Sequence, residues 1–453
     1  MASFSQAVWL VLIEPVLSES PTAGAASVLE EPDQTDARSS LHPLSFAPWR
    51  ARAVRLGVAP GSGDPTYGRI KIPYTPRERK YIYENPRVQV TERRVASGLI
   101  EKGTAKEAKQ EDAVQKAGPA LGGDTWYNVW EIPEAVQKAN LNSDVVLVHG
   151  MNDYGGKLGP LAMPYLEAGF RVIVYDLPGH GRSAGLHGYA PDMRALPQAL
   201  HAVMRDVMKH DGEAARGRKM FLTGTSMGGF TCLYYAALYS PIPKNKNRAN
   251  GTNGLSNGTQ HPAAEGGAQA DDDTIPAETD DLLRPNLAGV AVTAPMITIS
   301  KESTPPWILH KIAELLCFIV PRLPLVKGVK GNTSDDPRTD VEFHQDPITY
   351  KGNVRIGTGL AIWAGIEHLQ QIPDQIQCPV ALHHGSKDRA TSAQGTKEFF
   401  PRIGSERKTL KIWDGYEHIM QKFVDGMSKE DEAKSNAVIH AMRDFFLELA
   451  KES

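Results

Sequence analysis

Short, almost wholly apolar runs, each closed by a glycine-rich turn, constrain this chain more than any other feature. They are Val145-Val146-Leu147-Val148, Val172-Ile173-Val174-Tyr175 and Met220-Phe221-Leu222. A strand with one wet face alternates apolar and polar residues, so runs that are apolar at every position suit strands buried on both faces of a mostly parallel sheet. Between the second and third runs, Leu196, Leu200, Val203 and Val207 repeat at spacings of four, three and four, which puts an apolar stripe on one helix face. Further strands are expected at Val290-Ala291-Val292-Thr293, Val380-Ala381-Leu382-His383 and Leu410-Lys411-Ile412-Trp413. A last helix carries Val438, Ile439, Met442, Phe445, Phe446 and Leu449. This alternation predicts an α/β fold, a mostly parallel central sheet with helices on both faces.

At 453 residues the chain is long for one compact domain, and its pattern divides it. Residues 1–85, rich in Ser, Pro, Ala and Arg without periodicity, read as a mostly disordered tail. Residues 86–295 read as the first part of the core, opening with a strand-like stretch from Val88 and another at Trp126-Tyr127-Asn128-Val129-Trp130. The polar stretch 101–115 between them reads as a loop or surface helix. Within the same part, 241–285 is dense in Asn, Gly, Asp and Ala and reads as a disordered insertion. Residues 296–376 hold the apolar, helix-like run from Trp307 to Val320 and read as an inserted helical cap, while 377–453 complete the core.

Charge and cysteine usage exclude several classes. Fifty Lys and Arg against 53 Asp and Glu give a net charge of -3, which offers no basic field to steer nucleic acid, and no nucleic-acid partner is expected. Cys232, Cys317 and Cys378 lie far apart and in no metal-ligand spacing, so neither a zinc site nor a disulfide framework is expected. They fit a reducing, cytoplasmic compartment. No apolar run approaches the roughly 20 residues that span a bilayer. The first run, 7–13, has no Lys or Arg before it and is cut by Glu14 and Pro15, unlike a secretory signal. Asn250, Asn257 and Asn332 stand in Asn-X-Ser/Thr triplets, but two of the three fall in the low-complexity insertion, where composition alone produces them.

The strand ending at Thr223 leads into Gly224-Thr225-Ser226-Met227-Gly228-Gly229 and then a helix-like stretch through Leu238. A Gly-X-Ser-X-Gly in strand-turn-helix context is a nucleophile elbow, in which the serine occupies a strained tight turn and its neighbours two positions away must be nearly free of side chain. A serine hydroxyl becomes nucleophilic near neutral pH when an imidazole accepts its proton, and that imidazole needs a carboxylate to fix its tautomer. In this architecture the order is Ser, acid, His. Asp388, in His384-Gly385-Ser386-Lys387-Asp388, and His418, in Asp414-Gly415-Tyr416-Glu417-His418, both follow strands, at the edge where open α/β sheets place their sites. Other candidates are His383 and His384 for the base, and Asp374 and Asp414 for the acid, the first placed before its strand and the second too close to His418. Oxyanion donors are expected at the backbone N–H of Met227 and, from His149-Gly150-Met151-Asn152-Asp153, of Met151. The glycine cluster from Asp176 to Ser183 lacks any phosphate-loop pattern and reads as a structural turn.

Taken together, the stretch from Leu147 to Gly155, Asp176 to Gly181, Gly224 to Gly229, Asp346-Pro347-Ile348-Thr349-Tyr350 and Asp414 to His418 resemble the monoglyceride lipases of the serine-aminopeptidase-like (S33) α/β-hydrolases. The resemblance runs from about Val88 to Leu449, and the long tail and the insertion depart from it. It implies an α/β-hydrolase fold, a triad of Ser226, Asp388 and His418, oxyanion amides at Met151 and Met227, and neither metal nor organic cofactor. The expected substrate is a small lipid ester, monoacylglycerol first, cleaved to glycerol and fatty acid. Lysophospholipases, carboxylesterases and serine aminopeptidases share these motifs and stay open as alternatives, as does a non-catalytic protein binding lipid or a partner. Oligomeric state is left open. Trp307, Ile308, Leu309, Ile312, Leu315 and Phe318 make the cap run apolar on more than one face, which suits an acyl chain, a peripheral contact with membranes or lipid droplets, or the cap's own core. A peptidase would need an anionic group for the substrate's amino terminus, and the sequence singles none out. With His418 as base, activity falls as the imidazole takes up a proton, so the rate profile has an acidic limb.

Overall fold

The computed structural model describes residues 64–97, 123–239, 285–326 and 333–452. The expected tail up to residue 63, the polar stretch 101–115, nearly all of the insertion 241–285, and Asn250, Asn257 and Asn332 lie outside the described residues.

The strands in chain order are β1 (Gln89–Ser97), β2 (Gly123–Glu131), β3 (Ser143–Val148), β4 (Arg171–Tyr175), β5 (Lys219–Thr225), β6 (Asn286–Thr293), β7 (Pro324–Val326), β8 (Val354–Arg355), β9 (Val380–Gly385) and β10 (Lys408–Trp413). The helices are α1 (Pro133–Ala139), α2 (Gly159–Glu167), α3 (Ala195–Asp211), α4 (Met227–Tyr239), α5 (Trp307–Cys317), α6 (Pro337–Gln345), α7 (Ile356–Gln371), α8 (Ala393–Phe399) and α9 (Lys429–Lys451). Eight strands form one sheet in the order β1-β2-β4-β3-β5-β6-β9-β10. From β4 to β10 every neighbour is parallel, and β2 runs antiparallel to both β1 and β4. This is the α/β-hydrolase arrangement, and it sends the loops after β3, β5, β6, β9 and β10 to one edge of the sheet.

Burial follows the sequence pattern. Every residue of β3 is buried, because helices cover both faces of the sheet. On one face α3 inserts Leu196, Leu200, Val203 and Val207, beside α4, which is buried from Met227 to Ala237 and apolar all round. On the other face α2 and α9 pack, with Phe446 stacked on Phe221 at 4.9 Å between ring centroids. Helix α9 starts where the Ser428 side chain accepts from the N–H of Asp431, and Glu430, Asp431 and Glu432 in its first turn suit the positive end of its dipole.

Two boundaries differ from the sequence expectation. Residues 64–85 belong to the domain rather than to a tail. Ile82 is fully buried, Arg69 donates to the carbonyls of Gly181, Ser183 and Gly185, and Glu78 forms a buried ion pair with Arg182 at 2.7 Å. Most of these contacts are polar and long-range, so they leave no apolar period to read. The cap is also shorter than 296–376 on its C-terminal side. Helix α7 lays Ala361 and Leu369 into the main core and brings Gly365 against Met193 and Phe230, so it is as much a sheet-covering helix as a cap helix. The antiparallel pair β7 and β8 joins the cap segments. No helix among the described residues is long and apolar enough to cross a membrane.

Candidate active site

Ser226 sits between β5 and α4 at φ 58, the left-handed region that a residue with a side chain enters only under strain. The turn is pinned from three sides. Its N–H donates to Thr293 at 3.1 Å, and its carbonyl accepts from Phe230 at 2.9 Å and Met296 at 3.0 Å. The flanking glycines are required by the closeness of β3. A Cβ on Gly228 would lie 2.1 Å from the Val148 carbonyl oxygen, and one on Gly224 would lie 2.6 Å from the Gly228 carbonyl carbon.

His418, in the loop after β10, donates from Nδ1 to Asp388 Oδ2 at 2.8 Å, and both side chains are nearly or wholly buried. That bond leaves the lone pair on Nε2. Asp388 sits in the loop after β9, and its other oxygen accepts from the N–H groups of Ala390 at 2.8 Å and Thr391 at 2.9 Å. Burial pushes the Asp388 carboxyl up, but hydrogen bonds from His384 and His418 outweigh that and hold it well below the usual carboxylate range.

Ser226, His418 and Met151 all line one cavity of about 440 Å³. Its apolar lining includes Met296, Ile299, Leu309, Ile362 and Trp363. Its charged lining includes Arg77, Asp153, Lys157 and Glu342. Arg77 lies 2.5 Å from Glu342, and Lys157 lies 3.6 Å from Asp153 and 3.9 Å from Glu342. Burial raises both carboxyls above their ordinary range. No group of three or more His, Cys, Asp or Glu among the described residues is arranged to hold a metal.

Met227 opens α4, so its N–H is one of the first-turn donors that no intrahelical carbonyl can meet. The Met227 side chain is fully buried, and that of Met151 packs partly buried on the same core. A role for Met227 therefore falls to its backbone, while Met151 also lines the cavity.

The loop carrying Met151 is held by a residue the sequence reading passed over. The N–H of Leu177 donates to His149 Nε2 at 2.9 Å, and His149 Nδ1 bonds the Gly150 carbonyl at 2.8 Å, tying the loop after β3 to the loop after β4. Burial pushes this histidine down to about 4, so it stays neutral and can accept. Asp176 braces the same two loops, accepting from the N–H groups of Gly155 and Arg182, each at 2.6 Å, and burial pushes it up to about 6. Ser183 donates to the Asp176 carbonyl at 2.6 Å. His383 accepts from the Trp413 indole at 3.1 Å, and His384 contacts Asp388; neither lines the cavity. A shared signal would have found the two supporting histidines: His149-Gly150 and His384-Gly385 each close a buried strand.

The sequence profile of the serine aminopeptidase S33 family matches residues 139–245 and 280–422, more than half of the chain. Human monoglyceride lipase is 21% identical over 282 residues, 61% of this chain and 76% of that protein. An uncharacterized abhydrolase domain-containing protein of Dictyostelium discoideum is 23% identical over 278 residues; these are 60% of this chain, which spans only 24% of that longer protein. Among solved structures, a soluble variant of monoglyceride lipase from Saccharomyces cerevisiae in complex with a substrate analog superposes with a TM-score of 0.51 at 19% identity. The match covers 73% of this chain and 94% of that one, and at this identity the likeness is one of fold.

Proposed function

This chain belongs to the serine aminopeptidase S33 family, and on that premise we propose that it is a serine ester hydrolase cleaving monoacylglycerol to glycerol and a fatty acid through an acyl-enzyme on Ser226. His418 Nε2 takes the Ser226 proton as Oγ attacks the ester carbonyl, and the imidazolium then protonates the departing glycerol oxygen. Asp388 fixes the tautomer of His418. The N–H groups of Met151 and Met227 receive the oxyanion, where one donor is worth about 10²- to 10³-fold in rate. Water, activated by the same imidazole, releases the fatty acid. This chemistry calls for no metal or organic cofactor.

The observation that carries the reading is the 2.8 Å contact of His418 Nδ1 with Asp388 Oδ2 at the wall of a cavity that Ser226 also lines. An acyl chain fits the apolar lining and a polar head the charged one. An aminopeptidase is less well served. Of the three carboxylates that line the cavity, Asp153 and Glu342 are already compensated by Lys157 and Arg77, and Asp340 is more than half exposed to water beside His344, which leaves little for a substrate ammonium. The cap suits contact with a lipid surface. On and just after α5, Trp307 is 76% exposed, Leu315 70%, Phe318 86% and Ile319 76%, while Leu309 and Ala313 of the same helix line the cavity.

A serine-directed fluorophosphonate tests the enzyme reading: it labels the protein and fails to label Ser226→Ala. Turnover of monoacylglycerol, lysophospholipid and aminoacyl anilides then tests the substrate. Strong preference for anilides overturns the lipase assignment, and a folded protein that takes no label is a binding protein instead.

A further inference from the structure

The Asp388 carboxylate holds more donors than the orientation of one histidine requires. Besides the two backbone N–H groups on Oδ1, its Oδ2 faces His418 Nδ1 at 2.8 Å, the Thr391 hydroxyl at 2.9 Å and, at 3.0 Å, Nε2 of a second histidine, His384. A carboxylate offers about four lone-pair sites, and five groups face this one, the Thr391 hydroxyl sharing its single proton between Oδ2 and the Ala294 carbonyl at 3.1 Å, so its charge is widely shared. His384 is in β9 and fully buried, and its Nδ1 lies 2.9 Å from the Thr396 hydroxyl in α8. Oδ2 only accepts, so Nε2 carries the proton, and Nδ1 then accepts from Thr396. Two imidazoles therefore flank one oxygen, and each also approaches the Thr391 hydroxyl at 3.4 Å. Only His418 reaches the cavity.

We propose that His384 is a positioning residue that tunes the catalytic base: by donating a second imidazole N–H to Asp388 Oδ2, it draws charge from the oxygen facing His418 and lowers the pH at which His418 becomes able to accept the Ser226 proton. The proposal rests on the triad reading of Ser226, Asp388 and His418. A carboxylate beside an imidazole favours the imidazolium, and it does so less when its charge is spent on other strong donors. Without His384 the four remaining donors keep Asp388 ionised, but more of its charge falls on His418, which then holds its proton to higher pH.

The titratable groups turned toward the carboxylate are His384 from β9 and His418 from the loop after β10. Thr391 and Thr396, from the approach to α8 and from α8, are neutral, and the Thr293 hydroxyl of the neighbouring β6 bonds Thr225. His383 bonds the Trp413 indole, over which Lys411 lies. Arg389 pairs with Asp335, and Glu417 with Lys422.

The test is the pH profile of kcat/KM on a short-chain p-nitrophenyl ester. For His384→Leu the acidic limb moves to higher pH by about 0.5 to 1 unit. For His384→Gln, whose amide N–H lies near the position of Nε2, it stays close to wild type. For Thr396→Val, which frees the far side of the ring, it moves the same way by less. A limb unmoved in Thr396→Val and His384→Leu overturns the proposal, as does a Gln variant shifted as far as Leu. Should His384→Leu not fold, judged by its melt and by fluorophosphonate labelling, the Gln and Thr396 variants decide by the same criteria. Failure of the triad reading looks different, since Ser226→Ala would then keep its activity.

Discussion

The loop edge of the sheet and the cap above it solve different problems with different materials. At the edge, the side chains of Asp388, His149 and Asp176 are buried and held by hydrogen bonds, Asp388 by side-chain and backbone donors and the other two by backbone on two loops, while the backbone of Ser226 is pinned by carbonyl and amide partners from β6, α4 and the loop after β6. In the cap, α5 and α6 bury no residue completely, and large apolar side chains stand in water. Acyl transfer needs atoms held to a fraction of an ångström, which polar contacts fix in direction as well as distance. The acyl chain of the proposed substrate would need only surface, because the hydrophobic effect has no direction. Substitutions at the edge should therefore be felt in rate and stability, and substitutions in the cap in neither unless a lipid surface is present.

The largest effect is expected from Ser226→Ala, with a loss of hydrolysis on the order of 10⁴- to 10⁶-fold at unchanged or slightly raised Tm, since it also removes the nucleophile without crowding the turn. Gly228→Ala comes next. Its methyl would overlap the Val148 carbonyl, so either β3 or the elbow must move; activity should fall at least about 100-fold and stability by about 2 to 4 kcal/mol in urea unfolding. If Gly228→Ala kept wild-type activity, the edge would be far softer than its contacts suggest.

Acid probes the same rigidity without mutation. Burial pushes His149 down to about 4, His180 to about 3 and His383 to about 4, whereas unfolded histidine titrates near 6.5. Below that value the unfolded chain binds protons the folded one refuses, so the stability from burying these rings neutral is complete above about pH 6.5 and drains as pH falls toward 4. Asp176, pushed up to about 6, works in the opposite sense over roughly pH 6 to 4, and Asp388, held low, matters only below about 4. Burial also lowers a fourth ring, His187, to about 2 and raises Asp153 and Glu342 alongside Asp176; the four histidines outweigh the three carboxyls, and unfolding free energy should drop by on the order of a few kcal/mol between pH 7 and 5. His149→Gln, which keeps an acceptor for the Leu177 N–H, should lose about 2 kcal/mol less over the same interval. The contrast also separates loss of fold from loss of base in the acidic limb.

What could be read in the sequence divides along the same line. Strands β3, β4 and β5 announce themselves because burial on both faces excludes polar residues, and Gly224 and Gly228 because a close backbone approach excludes side chains. The support of the site is hidden for the converse reason. His384 meets Asp388 at 3.0 Å through one polar contact between a strand and a loop, marked in the sequence only by the His-Gly pair that closes the strand, and Arg69 meets three carbonyls over a hundred residues away; neither contact imposes an apolar period. Composition misleads at α7 as well. An apolar helix looks the same whether it covers a sheet or a cap, and only its packing places Ala361 and Leu369 in the main core.

The smallest effect in solution, and the one that most sharpens the contrast, is expected in the cap. Leu315→Ser combined with Phe318→Ser removes two side chains that touch mainly water, so stability should change by no more than about 0.5 kcal/mol and turnover of a soluble short-chain ester by less than about twofold. Transfer of each side chain from water into lipid is worth about 1.5 to 3 kcal/mol. Co-sedimentation with phosphatidylcholine vesicles, and turnover of monoacylglycerol presented in them, should therefore fall about tenfold or more. Equal loss on the soluble ester would mean that these residues shape the cavity itself, and no loss on either would remove the lipid surface from the account of the cap.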